Sequence, residues 1–322
     1  DTKELEGLCD RVYVMSRGHI VKSLEGNQVT EANMVSAAVQ STTLKKQIAA
    51  DNEKNERSGR LNRFLQGDYI PPSILALIML ILGAYVTSKN HSYIGNFNIN
   101  AILGLVAALG FIAIGQSIVL MTGGIDLSVG PAAGFLLCFG SLFINDGKSG
   151  ITMFIGFILM FVIALLIGMF NAFLIRYAKF TPIAATLSLY IGLIGFSYLL
   201  RPAPDGYING DVTNLLLAKI GPIPYVFILL VIISISMELA LRRSFWGLRL
   251  RAAGSNEESA RRLGVNINRT IFGAYAASTL FAAIGAIMLM SILGVGDAAQ
   301  GSTYTLQSIT AAVLGGTSLL GG

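Results

Sequence analysis

From about residue 70 to residue 320 the chain is a train of apolar runs, most of them close to the length of a bilayer crossing. A helical span needs roughly 20 apolar residues. Runs of this kind lie at 70–88, 99–121, 129–145, 151–175, 181–200, 223–241 and 270–293, and a glycine-rich run at 304–320 is a span or part of one. In hydrocarbon the backbone must satisfy its own polar groups, so such runs fold as helices. Only 13% of the residues are charged, about half the share of a soluble domain. The expected fold class is an all-α polytopic membrane protein. It should be a bundle of about seven to eight transmembrane helices with a small α/β soluble remnant ahead of it.

One interruption carries the most information. Met121-Thr122-Gly123-Gly124-Ile125-Asp126-Leu127-Ser128-Val129-Gly130 separates two long runs. A carboxylate at such a break is costly unless it reaches water, a partner or a helix end. Gly123, Gly124 and Gly130 allow a turn or close backbone approach. Two readings of Asp126 follow. It caps the next span by accepting from the amides near Ser128 and Val129, or it stands at an inner gate lining a pathway, as broken helices do in transporters. Gln116 and Asn171 lie within apolar runs, and each should face the bundle interior.

Residues 1–40 read differently. The valines of Cys9-Asp10-Arg11-Val12-Tyr13-Val14-Met15 are two apart, Ser16-Arg17-Gly18 supplies a turn, and His19-Ile20-Val21 opens a second strand, so a hairpin is expected. Thr30 caps a helix start. The piece is too small to hold a core of its own. Residues 41–67 form a charged linker, and residues 68–322 form the membrane domain. The chain opens on Asp1 and closes on Gly321-Gly322 directly after an apolar run; we expect a fragment at both ends. Cys9 and Cys138 form neither a disulfide framework nor a zinc pattern.

Basic residues fix the orientation. With the N-terminus inside, inner segments hold Arg57, Arg60, Arg63, Arg176, Lys179, Arg242, Arg243, Arg249, Arg251, Arg261, Arg262 and Arg269. Outer segments hold only Lys89, Lys148, Arg201 and Lys219. That asymmetry is the positive-inside pattern, and it accounts for the net charge of +5 without a nucleic-acid partner. The inner loop at 242–269 contains a short helix. Ser255 or Asn256 caps it, Glu257 and Glu258 occupy its first turn, Arg261 and Arg262 its last, and Gly264 ends it. Glu257–Arg261 and Glu258–Arg262 are spaced to pair. Such a helix either docks a partner or merely joins two spans.

Three blocks together resemble the bacterial ABC permeases of the ribose type, the family that imports monosaccharides. They are Thr122-Gly123-Gly124-Ile125-Asp126-Leu127-Ser128-Val129-Gly130, then Gly254-Ser255-Asn256-Glu257-Glu258-Ser259-Ala260-Arg261-Arg262-Leu263-Gly264-Val265-Asn266, then Ala311-Ala312-Val313-Leu314-Gly315-Gly316-Thr317-Ser318-Leu319-Leu320-Gly321-Gly322. The resemblance covers roughly residues 65–322. It implies a coupling helix, carried by Gly254, Asn256, Glu257, Glu258, Ala260, Arg261, Arg262 and Gly264, that docks on an ABC ATPase. It leaves Gly123, Gly124, Asp126, Ser128 and Gly130 as a pathway or gate motif. Gly315, Gly316, Thr317 and Ser318 serve packing or the pathway. Implied partners are the ATPase domain, an extracytoplasmic sugar-binding protein, a second permease copy, the monosaccharide and the lipid of a bacterial inner membrane.

The tail, Glu4 through Ile20, resembles the C-terminal edge of a sugar-import ABC ATPase. It has no phosphate-binding glycine loop, so ATP and magnesium belong to an ATPase domain outside these residues, and no cofactor is expected within them. The alternative class is an ion-coupled secondary transporter or channel for a small polar solute. That class wants ionisable residues deep in several spans, and here only Asp126 and Glu238 come near one. No paired carboxylates, metal-spaced histidines or nucleophile elbow lie within the spans, so no catalytic residue or metal site is assigned and the chain reads as a transport subunit rather than an enzyme.

Overall fold

The computed structural model describes residues 9–16, 19–34, 70–319 and 321–322. The chain divides into two compact units, Asp1–Ile70 and Pro71–Gly322. The expected linker at 41–67 and the turn residues Arg17 and Gly18 lie outside the described residues.

In the first unit, β1 (Arg11–Ser16) and β2 (His19–Glu25) pair as the expected antiparallel hairpin. Arg11 stands opposite Glu25, with an ion pair of 2.7 Å, and the register shifts between Val14 and Met15. Leu24, Val29 and Met34 form a small buried cluster against Val12 and Val14. Thr30 Oγ1 accepts from the Asn33 amide at 3.3 Å, the capping bond expected of it.

The second unit is helical. Its elements are α1 (Ile70–Lys89), α2 (Asn96–Leu120), α3 (Val129–Phe143), α4 (Gly150–Arg176), α5 (Pro182–Leu200), α6 (Gly210–Leu216), β3 (Lys219–Ile220), β4 (Ile223–Pro224), α7 (Tyr225–Arg243), α8 (Phe245–Ser255), α9 (Glu257–Arg262), α10 (Ile267–Leu293) and α11 (Thr303–Leu314). Pro71 and Pro72 fall in the first turn of α1, where no intrahelical N–H is needed. Ser149 caps α4, Thr181 caps α5 ahead of Pro182, and Asn266 caps α10, each placing a side-chain oxygen on an otherwise orphaned amide.

Among the described residues five helices, α2, α4, α5, α7 and α10, are long and apolar enough to cross a membrane, and Ser73–Lys89 and Val129–Phe143 are shorter apolar helices. The expected span at 129–145 is shortened. α3 has 15 residues, about 22 Å of rise, against a hydrocarbon core of about 30 Å. The expected run at 304–320 stops early too: α11 ends at Leu314, and Gly316 follows at φ +97°. The polar segment after α5 holds the short helix α6 and the β3–β4 hairpin.

α10 is the central helix. It is buried along most of its length and packs on α2, α3 and α4. Ala282, Ala283 and Ala286 face Ala107, Ala108, Phe111 and Ile112 in one apolar cluster. Small residues at such contacts bring backbones close, which is how helices associate where lipid is as apolar as the protein. α4, α5 and α7 instead expose large apolar side chains such as Phe154, Leu166, Ile191, Leu199 and Ile232, the surface expected of helices facing hydrocarbon.

Candidate functional site

The break between α2 and α3 lies inside the protein. Asp126 has no exposed surface. Its Oδ1 accepts from the Ser128 amide at 2.9 Å and the Ser128 hydroxyl at 2.6 Å. Its Oδ2 accepts from the Ser278 hydroxyl of α10 at 3.1 Å. Ser128 Oγ in turn accepts from Asn171 Nδ2 of α4 at 2.7 Å. The carbonyl of Ile125 accepts from Thr186 of α5 at 3.2 Å, and that of Leu127 from Thr305 of α11 at 3.1 Å. Four helices therefore tie down one irregular segment, so its freed backbone groups are partly repaired by side chains.

Of the two amides expected as donors to Asp126, only that of Ser128 reaches it; the carboxylate makes a local turn two residues long just ahead of the α3 N-terminus, where the helix dipole favours an anion. Among the described residues Asp126 is the one fully buried carboxylate, and no cationic side chain pairs with it. Gly130 is required by contact: a Cβ there would stand 2.6 Å from both the Gly301 carbonyl oxygen and the Thr305 amide. Both polar atoms of the Gln116 side chain, Asn171 Oδ1 and the Tyr275 hydroxyl are buried without a protein partner. The expectation that Gln116 and Asn171 face the interior holds, and only Asn171 bonds to the break. Ser278 and Tyr275 were not singled out in the sequence. A Ser278-Thr279 pair within an apolar run was the available signal.

The loop between α7 and α10 folds as two helices rather than one. Asn256, not Ser255, caps α9, accepting from the Ser259 amide at 2.8 Å. The Val265 amide returns to the Ala260 carbonyl at 3.0 Å around Gly264, whose φ is +84°, a left-handed helix stop. Glu258 pairs with Arg262 at 3.2 Å as its spacing suggests. Glu257 does not pair with Arg261. Arg176, at the end of α4, reaches both Glu257 carboxylate oxygens at 3.0 and 3.1 Å and bonds Asn268 at 2.8 Å. A largely buried guanidinium, anchored through Nε on Asn268 and reaching Glu257 through Nη1, outcompetes an exposed arginine for the same carboxylate. We expect Arg176→Ala to leave the bundle folded and to speed amide exchange several-fold across 257–262, read by hydrogen–deuterium exchange. Unchanged exchange there would show that α9 is held by its caps alone.

The three sequence blocks converge at one place. Gly254, near the end of α8, lies so close to the Met121 carbonyl that any Cβ would collide with its oxygen and stand 2.9 Å from its carbon. The Gly322 amide donates to the same Met121 oxygen at 3.2 Å. A Cβ on Gly321 would stand 2.8 Å from the Gly123 nitrogen and 2.9 Å from the Gly254 oxygen. Gly123 and Gly254 thus meet at a junction of backbone against backbone, while Glu258, Arg261 and Arg262 remain exposed on α9. Gly315 and Gly316, expected to serve tight packing or a pathway, lie where α11 closes. A Cβ on Gly316 would meet nothing within 4 Å, its amide donates to the Val313 carbonyl at 2.9 Å, and the Thr317 amide returns to the Ala312 carbonyl at 3.1 Å. Ser318 follows in the segment leading back to the junction.

The chain is thus a multi-pass helical bundle with a buried break, joined to the capped α8–α9 loop through a glycine contact. The class is a membrane permease. Residues 98–322 match the family described as the branched-chain amino acid transport system / permease component, and the chain belongs to it. It is 33% identical over 250 residues to a ribose import permease of Bacillus subtilis strain 168, covering 76% of each chain. It is 30% identical over 273 residues to an autoinducer 2 import system permease of Yersinia enterocolitica, covering 81% of this chain and 71% of that one. It is 28% identical over 317 residues to a xylose transport system permease of Escherichia coli strain K12, covering 77% and 79%. No solved structure matches.

Proposed function

We propose that the chain is the membrane-spanning subunit of an ATP-driven importer for a monosaccharide of the pentose or hexose type. The observation that carries this is the match of residues 98–322 to a permease family together with relatives named for ribose, xylose and fructose import. Its partners are an ABC ATPase, an extracytoplasmic sugar-binding protein and a second copy of the permease. ATP and magnesium are bound on the ATPase. The chain sits in a bacterial inner membrane with its N-terminus and the α8–α9 loop in the cytoplasm, supported by the gathering of arginines at that end. Residues 1–40 are the C-terminal edge of an ATPase domain, a reading supported by the hairpin and its small cluster.

In this reading α9 docks on the ATPase with Glu257, Glu258, Ala260, Arg261 and Arg262, flanked by Gly254 and Asn256 before it and by Gly264 after it. The break at Gly123, Gly124, Asp126, Ser128 and Gly130 is the element it moves, with the segment from Gly315 to Ser318 placing the chain that returns to it. ATP-driven closure of the ATPase pair then biases a two-state element inside the membrane.

Among the described residues the ion-coupled alternative has one buried carboxylate to work with, Asp126, and a relay needs several. The test is uptake of radiolabelled monosaccharides into proteoliposomes containing the chain, its ATPase and its binding protein. Accumulation of one sugar only with ATP is the expected result. Uptake that ignores ATP and follows an imposed ion gradient would replace this reading with the secondary transporter.

A further inference from the structure

α7 ends on Arg242 and Arg243, and the chain turns sharply at Ser244, whose hydroxyl accepts from the Gly247 amide at 3.2 Å. Gly247 is pressed against the Leu241 carbonyl so closely that no Cβ fits. The first turn of α8 therefore lies level with the last turn of α7. That is the depth at which an apolar span gives way to headgroups.

α8 has two unlike faces. Gly247, Leu250 and Ala253 are buried, the latter two against a cluster containing Ile118, Val119 and Ile271. On the other side Phe245 is 81% exposed and Leu248 57%. Arg249 is exposed beside them, and Arg243 is exposed at the corner. Positions 245, 248 and 249 share one helix face. Arg242 is engaged with Glu238, whereas Arg243 and Arg249 carry no hydrogen bond or ion pair among the described residues.

We propose that the Phe245–Leu248–Arg249 face of α8, together with Arg243, is a docking surface for anionic phospholipid headgroups. Two aromatic or aliphatic side chains at a span end bury into the acyl boundary, and adjacent arginines reach the phosphates, the chemistry of an interfacial amphipathic helix. Guanidinium matches phosphate in bidentate geometry. Charge selects the occupant: two unpaired cations beside exposed apolar side chains at headgroup depth complement an anionic lipid rather than a zwitterionic one. The proposal requires only that the chain spans a membrane, so it stands or falls apart from the identity of the solute. Its consequence is that lipid fixes the height of α8, and through it the position of Gly254 and α9.

Trp246 is the single tryptophan of the chain and sits on the same turn of α8. The test is quenching of its fluorescence in phosphatidylcholine vesicles. A small fraction of the lipid would be either phosphatidylglycerol or phosphatidylcholine, with bromine near the headgroup end of the acyl chains. The brominated anionic lipid should reach half-quenching at several-fold lower mole fraction, and the preference should shrink in high salt. In the Arg243→Gln/Arg249→Gln variant, quenching should persist with the preference gone. Equal quenching by both lipids in the unaltered chain would overturn the proposal. So would loss of quenching when the ATPase is added, since that would assign the face to a protein.

Discussion

Asp126→Ala is expected to lower the stability of the membrane unit by about 2–4 kcal/mol and to abolish transport, whereas Asp126→Asn should stay within about 1 kcal/mol of the original chain. The difference lies in what each substitution leaves behind. Alanine removes the acceptor for the Ser128 amide, the Ser128 hydroxyl and the Ser278 hydroxyl. Neither serine has exposed surface with which to find water, and each buried donor left unmade costs about 1–3 kcal/mol. Removing a buried charge recovers part of that loss, so the total stays below a simple sum. Asparagine keeps an oxygen for the two Ser128 donors, and its amide can donate to Ser278 once that hydroxyl rotates. Thermal unfolding in nanodiscs, run alongside uptake, separates the roles. If alanine and asparagine variants both unfold at the temperature of the original, Asp126 does not hold the break. If the asparagine variant is stable yet transports nothing, the negative charge itself serves the transport cycle.

What the sequence disclosed about this site follows the reach of its signals. The capped helix at 257–262 was readable because its cap, acidic first turn, basic last turn and glycine stop all lie within nine residues. The break was readable because an aspartate among glycines has no place inside an apolar helix. The membrane bundle was readable from run length alone. What escaped was carried by contacts without a local signature. Ser278 meets Asp126 across 152 positions, and Arg176 takes Glu257 across 81, so the expected Glu257–Arg261 pair lost to a partner no helical spacing reveals. The early end of α3 at Phe143 escaped because Asn145 leaves the helix to bridge the distant Ile208, a contact with no local signature. Gly316 adopts a left-handed φ at the end of α11, and composition does not distinguish a helix stop from a helix contact.

Gly254→Val should have the second large effect, and of a different kind. The obstacle at Gly254 is the Met121 carbonyl, part of the backbone at the end of α2, and it cannot rotate aside as a side chain could. Any Cβ therefore forces α8 away from the break. α9 should survive, because its Asn256 cap and Gly264 stop lie beyond the contact. Under the proposed transport cycle the docking helix would still form and bind the ATPase, but its movement would no longer register at Met121 and Gly123. A misplacement of about 1 Å away from a reacting centre can cost about a hundredfold. The expected result is basal ATP hydrolysis retained and sugar uptake reduced by at least that factor, with alanine intermediate. Gly273→Ala is the matched control: it lies in α10 with nothing within 4 Å of its Cβ position, and it should transport normally while gaining up to about 1 kcal/mol of helix stability. Full uptake by the Gly254→Val chain would mean that the contact is incidental and that force reaches the membrane by another route, with the Arg176–Glu257 link from α4 to α9 the next to test.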